Sequence, residues 1–333
     1  MLLNYIIRRF FQMIPMLFAV SAVIFFIINL PPGDFLTTLI IQLEQAGTEV
    51  SYAEIYNLRR QFGLDRTPVE QYFIWIGNII TRLDFGLSFS WNLPVAEVIQ
   101  SRIGWTLIIS LLSLFFTFLV AIPVGIYAAT RQYSVGDYII TFIGFIGMAV
   151  PGFLLALVLV YLIFVNTGVA LVGLFSSEFA NAPWSWARFM NMLPRLGLIV
   201  VIIGLTGTAG MIRTMRAMTL DELQKQYVIT ARAKGLKEGA LLFKYPIRMA
   251  INPIISTIGW TLPALVSGEV IVSIVMNMPT IGPLMMGAFM SQDMFLAGSM
   301  MLFIASLTIV GTLLSDILLA VTDPRIKFGG VGE

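Results

Sequence analysis

Six stretches of this chain carry some twenty or more mostly apolar residues in succession, at positions 10–30, 105–130, 138–165, 194–218, 251–276 and 297–320. A helix of about 20 apolar residues reaches across the hydrocarbon core of a bilayer. Hydrocarbon offers the backbone no hydrogen-bond partner, so each such segment must satisfy its own N–H and C=O groups as a helix. The composition agrees: 58% of the residues are hydrophobic and 11% charged, against about 25% charged in an ordinary soluble domain. The expected fold is an all-α polytopic membrane protein with six transmembrane helices.

Residue types that are missing narrow the chemistry. The chain has no cysteine and no histidine, which removes thiolate nucleophiles, the commonest zinc ligand and the usual general base near neutral pH. None of its five lysines follows a glycine, so the phosphate-cradling loop that ends in Gly-Lys-Ser/Thr is absent. No cofactor is expected in this chain, and any ATP hydrolysis belongs to another polypeptide. A net charge of +2 lacks the strongly positive field that a nucleic-acid partner demands.

The first apolar stretch follows Arg8 and Arg9 and ends in Asn29-Leu30-Pro31-Pro32 with no small-x-small cleavage site. It is longer than a signal-peptide core and reads as a retained anchor. With the N-terminus inside, thirteen of the twenty basic residues fall in cytoplasmic segments, eight of them between Arg213 and Arg248. The positive-inside rule then places both termini in the cytoplasm. The expected organisation is an N-terminal segment with its first span (1–30), an extracytoplasmic subdomain (31–104), a transmembrane core (105–320) containing a basic cytoplasmic loop (219–250), and a cytoplasmic tail (321–333). Amphipathic helices are expected within the subdomain at 52–61 and 69–80, with Asp65, Tyr72 and Trp75 as candidate contacts for an external protein.

The cytoplasmic loop contains Thr230-Ala231-Arg232-Ala233-Lys234-Gly235-Leu236. Small residues at Ala231, Ala233 and Gly235 permit close approach of a partner, Arg232, Lys234 and Lys237 offer charge, and Gly235 suits the left-handed position that ends a short helix. An ordinary positive-inside loop would share the charge but not the spacing.

Together with Lys244-Tyr245-Pro246-Ile247-Arg248 and Asn252-Pro253, this run resembles the coupling loop of ABC importer permeases of the dipeptide/oligopeptide type. The likeness extends along nearly the whole chain: Pro32-Gly33-Asp34, Phe62-Gly63-Leu64-Asp65, Gln71-Tyr72, Trp75, Asp84-Phe85-Gly86, Ser88-Phe89, Pro94-Val95, Pro151, Phe153, Pro279-Thr280-Ile281-Gly282 and Asp323-Pro324-Arg325 follow the family's order. The short segment before the first span and the long segment after it resemble the B-type subunit of a permease pair. The resemblance implies a type I importer fold, a homologous C-type permease as partner, two ATP-binding subunits that carry ATP and Mg, and an extracytoplasmic solute-binding protein. The lipid bilayer is the remaining contact. It also implies that residues 230–236 dock on an ATP-binding subunit. The glutamate of the general form of this loop is missing, with Ile229 or Thr230 in its place, so a glutamate-specific contact does not carry over.

Substrate is read less sharply. Where many peptide-type members have Glu-Thr-x-Phe, this chain has Ser273-Ile274-Val275-Met276, and related wording also serves oligosaccharides. Glu269 is the one acid well inside an expected span, a costly position that favours a water-filled path, a partner or another helix. It and Ser273 are the candidate pathway residues. Asp316 is expected to pair with a basic neighbour, and Gly204, Gly207 and Gly210 to allow tight helix packing. A secondary transporter would show coupling carboxylates and broken helices in repeated halves, and a membrane-embedded enzyme would show convergent acid and base groups at one depth.

Overall fold

The computed structural model describes residues 2–30, 36–37, 40, 56, 60 and 65–322; the side chains of residues 2–6, 262, 269 and 320–322 fall outside that description. The expected helix at 52–61 lies outside the described residues apart from Tyr56 and Arg60. The elements run α1 (Leu2–Ile28), α2 (Pro68–Arg82), β1 (Leu87–Ser88), β2 (Leu93–Pro94), α3 (Val95–Thr130), α4 (Val135–Ala149), α5 (Gly152–Thr167), α6 (Trp186–Leu223), α7 (Gln226–Ala233), α8 (Glu238–Lys244), α9 (Pro246–Ala250), α10 (Asn252–Val275), α11 (Ile281–Met290) and α12 (Met294–Thr322).

Among the described residues, four helices are long and apolar enough to cross a membrane, namely Ile7–Ile28, Val95–Thr130, Trp186–Leu223 and Met294–Leu319, and a fifth span is made if α4 and α5 count as one. The 24-residue α10 occupies the remaining apolar stretch; it contains two residues whose side chains are outside the description. The segment expected as one helix at 138–165 is in fact two, bent by 102°. The cause is Pro151, which has no N–H to donate and forces the residue before it out of the helical region; Val150 accordingly sits at φ −86°, ψ 119°.

The chain divides into two compact units. One comprises residues 11–106 and 280–307. Its helix α2 matches the expected 69–80 segment and is closed at both ends: Thr67 and Glu70 form a reciprocal capping box, Pro68 takes the first helical position, and Leu83 at φ 54° ends the helix. The buried face of α2 packs Tyr72 and Trp75 against Phe25 of α1 and Leu302 of α12. The short β-hairpin pairs Leu87 with Pro94 and Ser88 with Leu93. Asp293, fully buried, accepts hydrogen bonds there from Ser88 Oγ (2.6 Å), Ser90 Oγ (2.8 Å) and Ser90 N (3.0 Å), and also from Leu296 N (3.2 Å) in the first turn of α12.

The other unit comprises residues 1–10, 107–279 and 308–333 and is organised on α6, whose buried stripe includes Leu196, Ile199, Ile203 and Met215. Glycines set its closest helix approaches. A Cβ on Gly204 would overlap Phe116, one on Gly125 would lie 2.7 Å from Met215 Cβ, and one on Gly259 of α10 would lie 2.7 Å from the Thr312 backbone of α12. Of the three glycines expected to pack tightly, only Gly204 does so; Gly207 stands at ordinary contact distance and Gly210 faces open space. Asp316 pairs with Arg9 at 3.4 Å.

Candidate functional site

The basic loop folds into three short helices, α7 to α9, after α6 has run on as far as Leu223. Helix α7 ends as glycine-terminated helices do. The Leu236 N–H donates to Ala231 O (3.4 Å) and the Gly235 N–H to Arg232 O (2.9 Å), with Gly235 at φ +79°. That pattern is the Schellman motif, and a residue with a Cβ would be strained at its left-handed position. The accompanying apolar contact is present, since Leu236 packs on the cluster of Val228, Ala231 and Leu241. Sequence spacing thus sets both the stop and the fold-back.

Burying Val228 and Ala231 leaves Gln226, Ile229, Thr230 and Ala233 on the exposed side of α7. The space around Gly235 is open, with no atom within 4 Å of where a Cβ would stand. Tyr227 and Ile229 are the exposed large apolar side chains of α7, and Arg232 is exposed beside them. Thr230 turns its hydroxyl inward to Gln226 O (2.8 Å).

The three charges expected to face a partner are not equivalent. Arg232 donates from Nε and Nη2 to the two carboxylate oxygens of Glu238 (2.6 and 3.2 Å), a bidentate pair that ties α7 to α8. This bond holds the Glu238 carboxyl below its usual range and raises Arg232. Lys234 and Lys237 stay exposed. Tyr227 donates its hydroxyl to Glu222 Oε2; burial first, then this bond, pushes the phenol above its usual range.

Other candidate residues are placed less as expected. Tyr72 and Trp75 are 7% and 3% exposed, so they cannot form a contact surface, and their role as external contacts is corrected. Each apolar ring is buried and each polar edge is already used, Tyr72 OH with Ser21 Oγ (2.9 Å) and Trp75 Nε1 donating to Phe85 O (3.2 Å). Asp65 is exposed, as are Val69 and Phe73 on the outward face of α2. Glu269 lies in α10, but its side chain is outside the described residues. Ser273, one turn later, is fully buried, and its Oγ has no hydrogen-bond partner among the described residues. No group of three or more metal-ligating side chains converges among the described residues.

Two polar constellations escape a reading of the sequence: the Asp293 cluster, and a bidentate pair between the buried Asp137 of α4 and the partly exposed Arg216 of α6. Each joins residues far apart in the chain, and the available signal was a charged residue left within or beside an apolar helix.

Residues 121–328 match the family described as binding-protein-dependent transport system inner membrane component, and residues 2–111 match the N-terminal membrane component of the same systems. The oligopeptide transport system permease protein AppB of Bacillus subtilis (strain 168) is 34% identical over 325 residues, covering 97% of this chain and 99% of the relative. A putative peptide permease protein of Brucella ovis is 31% identical, covering 98% and 99%. The glutathione transport system permease protein GsiC of Escherichia coli O1:K1 / APEC is 30% identical, covering 98% and 100%. With matches that span the chain from end to end, the protein belongs to the binding-protein-dependent transport system inner membrane component family and is a multi-pass permease subunit of an ABC importer.

Proposed function

We propose that this chain imports di- or oligopeptides as one half of a permease pair, and that residues 230–236 on and after α7 are where an ATP-binding subunit docks. The observation that carries the docking assignment is the exposed side of a short, Schellman-terminated helix, with open space at Gly235, in the loop between the long apolar helices α6 and α10. The division of labour follows: ATP and Mg stay on the partner subunits, a second, C-type permease completes the path, and an external binding protein delivers the solute. Peptide as the substrate is supported by the names of the relatives. Glu269 and Ser273 of α10 are the proposed pathway residues.

The finer architecture belongs to the same proposal. Six spans, with α4 and α5 as one broken span and α10 as another, put both termini in the cytoplasm and residues 31–104 outside, with the core at 105–320 and the tail at 321–333. The split of basic residues supports this orientation. Asp65, exposed beside α2, is the remaining candidate contact for the binding protein. The chain has no native cysteine, so an impermeant thiol reagent should label Asp65→Cys from the external side of sealed vesicles; labelling from the cytoplasmic side alone would reverse the topology.

Docking is tested at Gly235. Any side chain is strained at φ +79°, though the space where a Cβ would stand is open, so Gly235→Ala, which carries the strain without the bulk, is the control for Gly235→Trp, whose indole would occupy the room a partner needs. Membrane levels should be normal, and ATP hydrolysis stimulated by the loaded binding protein should be lost together with uptake. Full stimulation in reconstituted Gly235→Trp complexes would remove the docking assignment.

A further inference from the structure

At one end of α6 three helices approach closely. A Cβ on Gly125 of α3 would crowd Met215, and one on Gly136 of α4 would lie 2.6 Å from the Tyr127 hydroxyl of α3. Beside them is Asp137, 2% exposed. Its Oδ1 accepts from Arg216 Nε (2.8 Å), and its Oδ2 accepts from Arg216 Nη2 (2.7 Å) and from the Tyr133 N–H (3.0 Å). The planar fork of arginine meets the carboxylate in a fixed orientation, which a point charge could not impose.

Position gives this pair its meaning. Met215, next to Arg216, is fully buried in a cluster with Ile247 and Ala250 of α9 and Ile254 of α10. The return limb of the docking loop therefore bears on α6 at the residue beside the clasp, while the outgoing limb leaves from the end of the same helix. At the far end of α4, the bend seats Gly152 between two helices: a Cβ there would lie 3.1 Å from Thr206 Oγ1 of α6 and 3.4 Å from Val272 Cγ2 of α10. Helix α4 and its bend are thus gripped at the docking-loop end by an ion pair and at the other by close packing. That second grip lies beside Ser273.

With Asp137 buried and the Arg216 side chain 27% exposed, desolvation of the carboxylate offsets part of the attraction, and the pair is a modest device for stability alone. What it supplies is one discrete geometry. We infer that Asp137 and Arg216 are positioning residues that make α4 follow α6 when the docking loop is displaced, so that movement at α7 to α9 reaches the bend at Pro151 and, through it, α10. This rests on the docking assignment proposed above. Without the clasp, α6 can shift while α4 stays behind, and hydrolysis proceeds without a matching stroke of the path.

The test uses the complete complex in proteoliposomes, with a radiolabelled tripeptide taken up by the wild type as the probe solute, and reads solute imported per ATP hydrolysed. Asp137→Asn and Arg216→Lys, the second keeping the charge but losing the fork, should each retain stimulated hydrolysis and lower that ratio by about tenfold. The exchange Asp137→Arg with Arg216→Asp should recover part of the ratio. If Asp137→Asn fails to reach the membrane, Arg216→Lys carries the result. An unchanged ratio, with uptake and hydrolysis falling in parallel, means the pair serves assembly alone and overturns the clasp. Gly235→Trp run alongside separates the two assignments: loss of stimulation there with an unchanged ratio in the clasp variants leaves docking standing and removes the clasp, whereas full stimulation in Gly235→Trp removes the docking on which the clasp depends.

Discussion

Helices α2 and α7 are both short segments between long apolar ones, and the chain finishes them very differently. The fifteen residues of α2 have a reciprocal cap at one end and a left-handed stop at the other. They bury two aromatic rings whose centroids each lie 5.6 Å from that of Phe25. The eight residues of α7 begin at Lys225 with no side-chain cap and bury only Val228 and Ala231. An isolated helix of that length is unstable in water, and α7 persists through its Schellman turn and its contact with α8. It leaves Ile229 46% exposed, and α8 leaves Phe243 73% exposed. Helix α2 also turns apolar side chains outward, Val69 at 52% and Phe73 at 66% exposed, so what sets α7 apart is its missing N-terminal cap and shallow burial, and the docking proposed for it rests on that difference.

The comparison breaks most readily at Trp75. Replacing a buried Trp by Ala removes its transfer free energy and leaves a cavity, a loss of about 3–5 kcal/mol. Trp75→Ala should lower the thermal midpoint of the purified complex, whereas Ile229→Ala should leave the midpoint alone and weaken ATPase association. If Ile229→Ala destabilised the permease as much as Trp75→Ala, α7 would belong to the architecture and the contrast would fail.

How far the sequence speaks depends on the range of the interaction. The stop of α7 is legible because glycine and a following leucine act within six residues, and the cap of α2 is legible for the same reason in Thr67-Pro68-Val69-Glu70. Long apolar runs locate four membrane-length helices among the described residues, and a fifth span if α4 and α5 count as one. The break at Val150 and Pro151 was in plain view as a proline, yet a proline inside an apolar run can kink a helix or end it, and only packing of Gly152 against Thr206 and Val272 decides. Tyr72 and Trp75 show the limit of periodicity: it tells which residues share a face, and here that face was already taken by Phe25 and Leu302. The Asp137–Arg216 and Asp293 contacts join residues 79 and about 200 apart, and no local pattern announces a partner at that distance.

The smallest expected effect concerns how α7 is tied to α8. Arg232 and Glu238 are 48% and 59% exposed at their side chains, and solvent screens such a pair strongly. Its removal in Glu238→Gln should therefore loosen the hairpin without undoing it: tryptic cleavage after Lys234 and Lys237, measured on the permease without its ATPases, should quicken by less than about threefold, and docking should survive. The pH dependence sharpens this. The folded-state carboxyl of Glu238 is held below its ordinary value of 4.5 by Arg232, so the contribution of the pair is complete above that ordinary value and is lost only as pH falls through the lower, folded one. Across about pH 6 to 8 the ratio of cleavage rates between variant and wild type should consequently stay constant. A ratio that changed over that range would mean that the charge on Glu238 is not what holds the hairpin. Cleavage no faster than in the wild type would show that the Schellman turn and the Val228, Ala231 and Leu241 contact hold it unaided, so that α7, like α2, is closed by packing and caps alone.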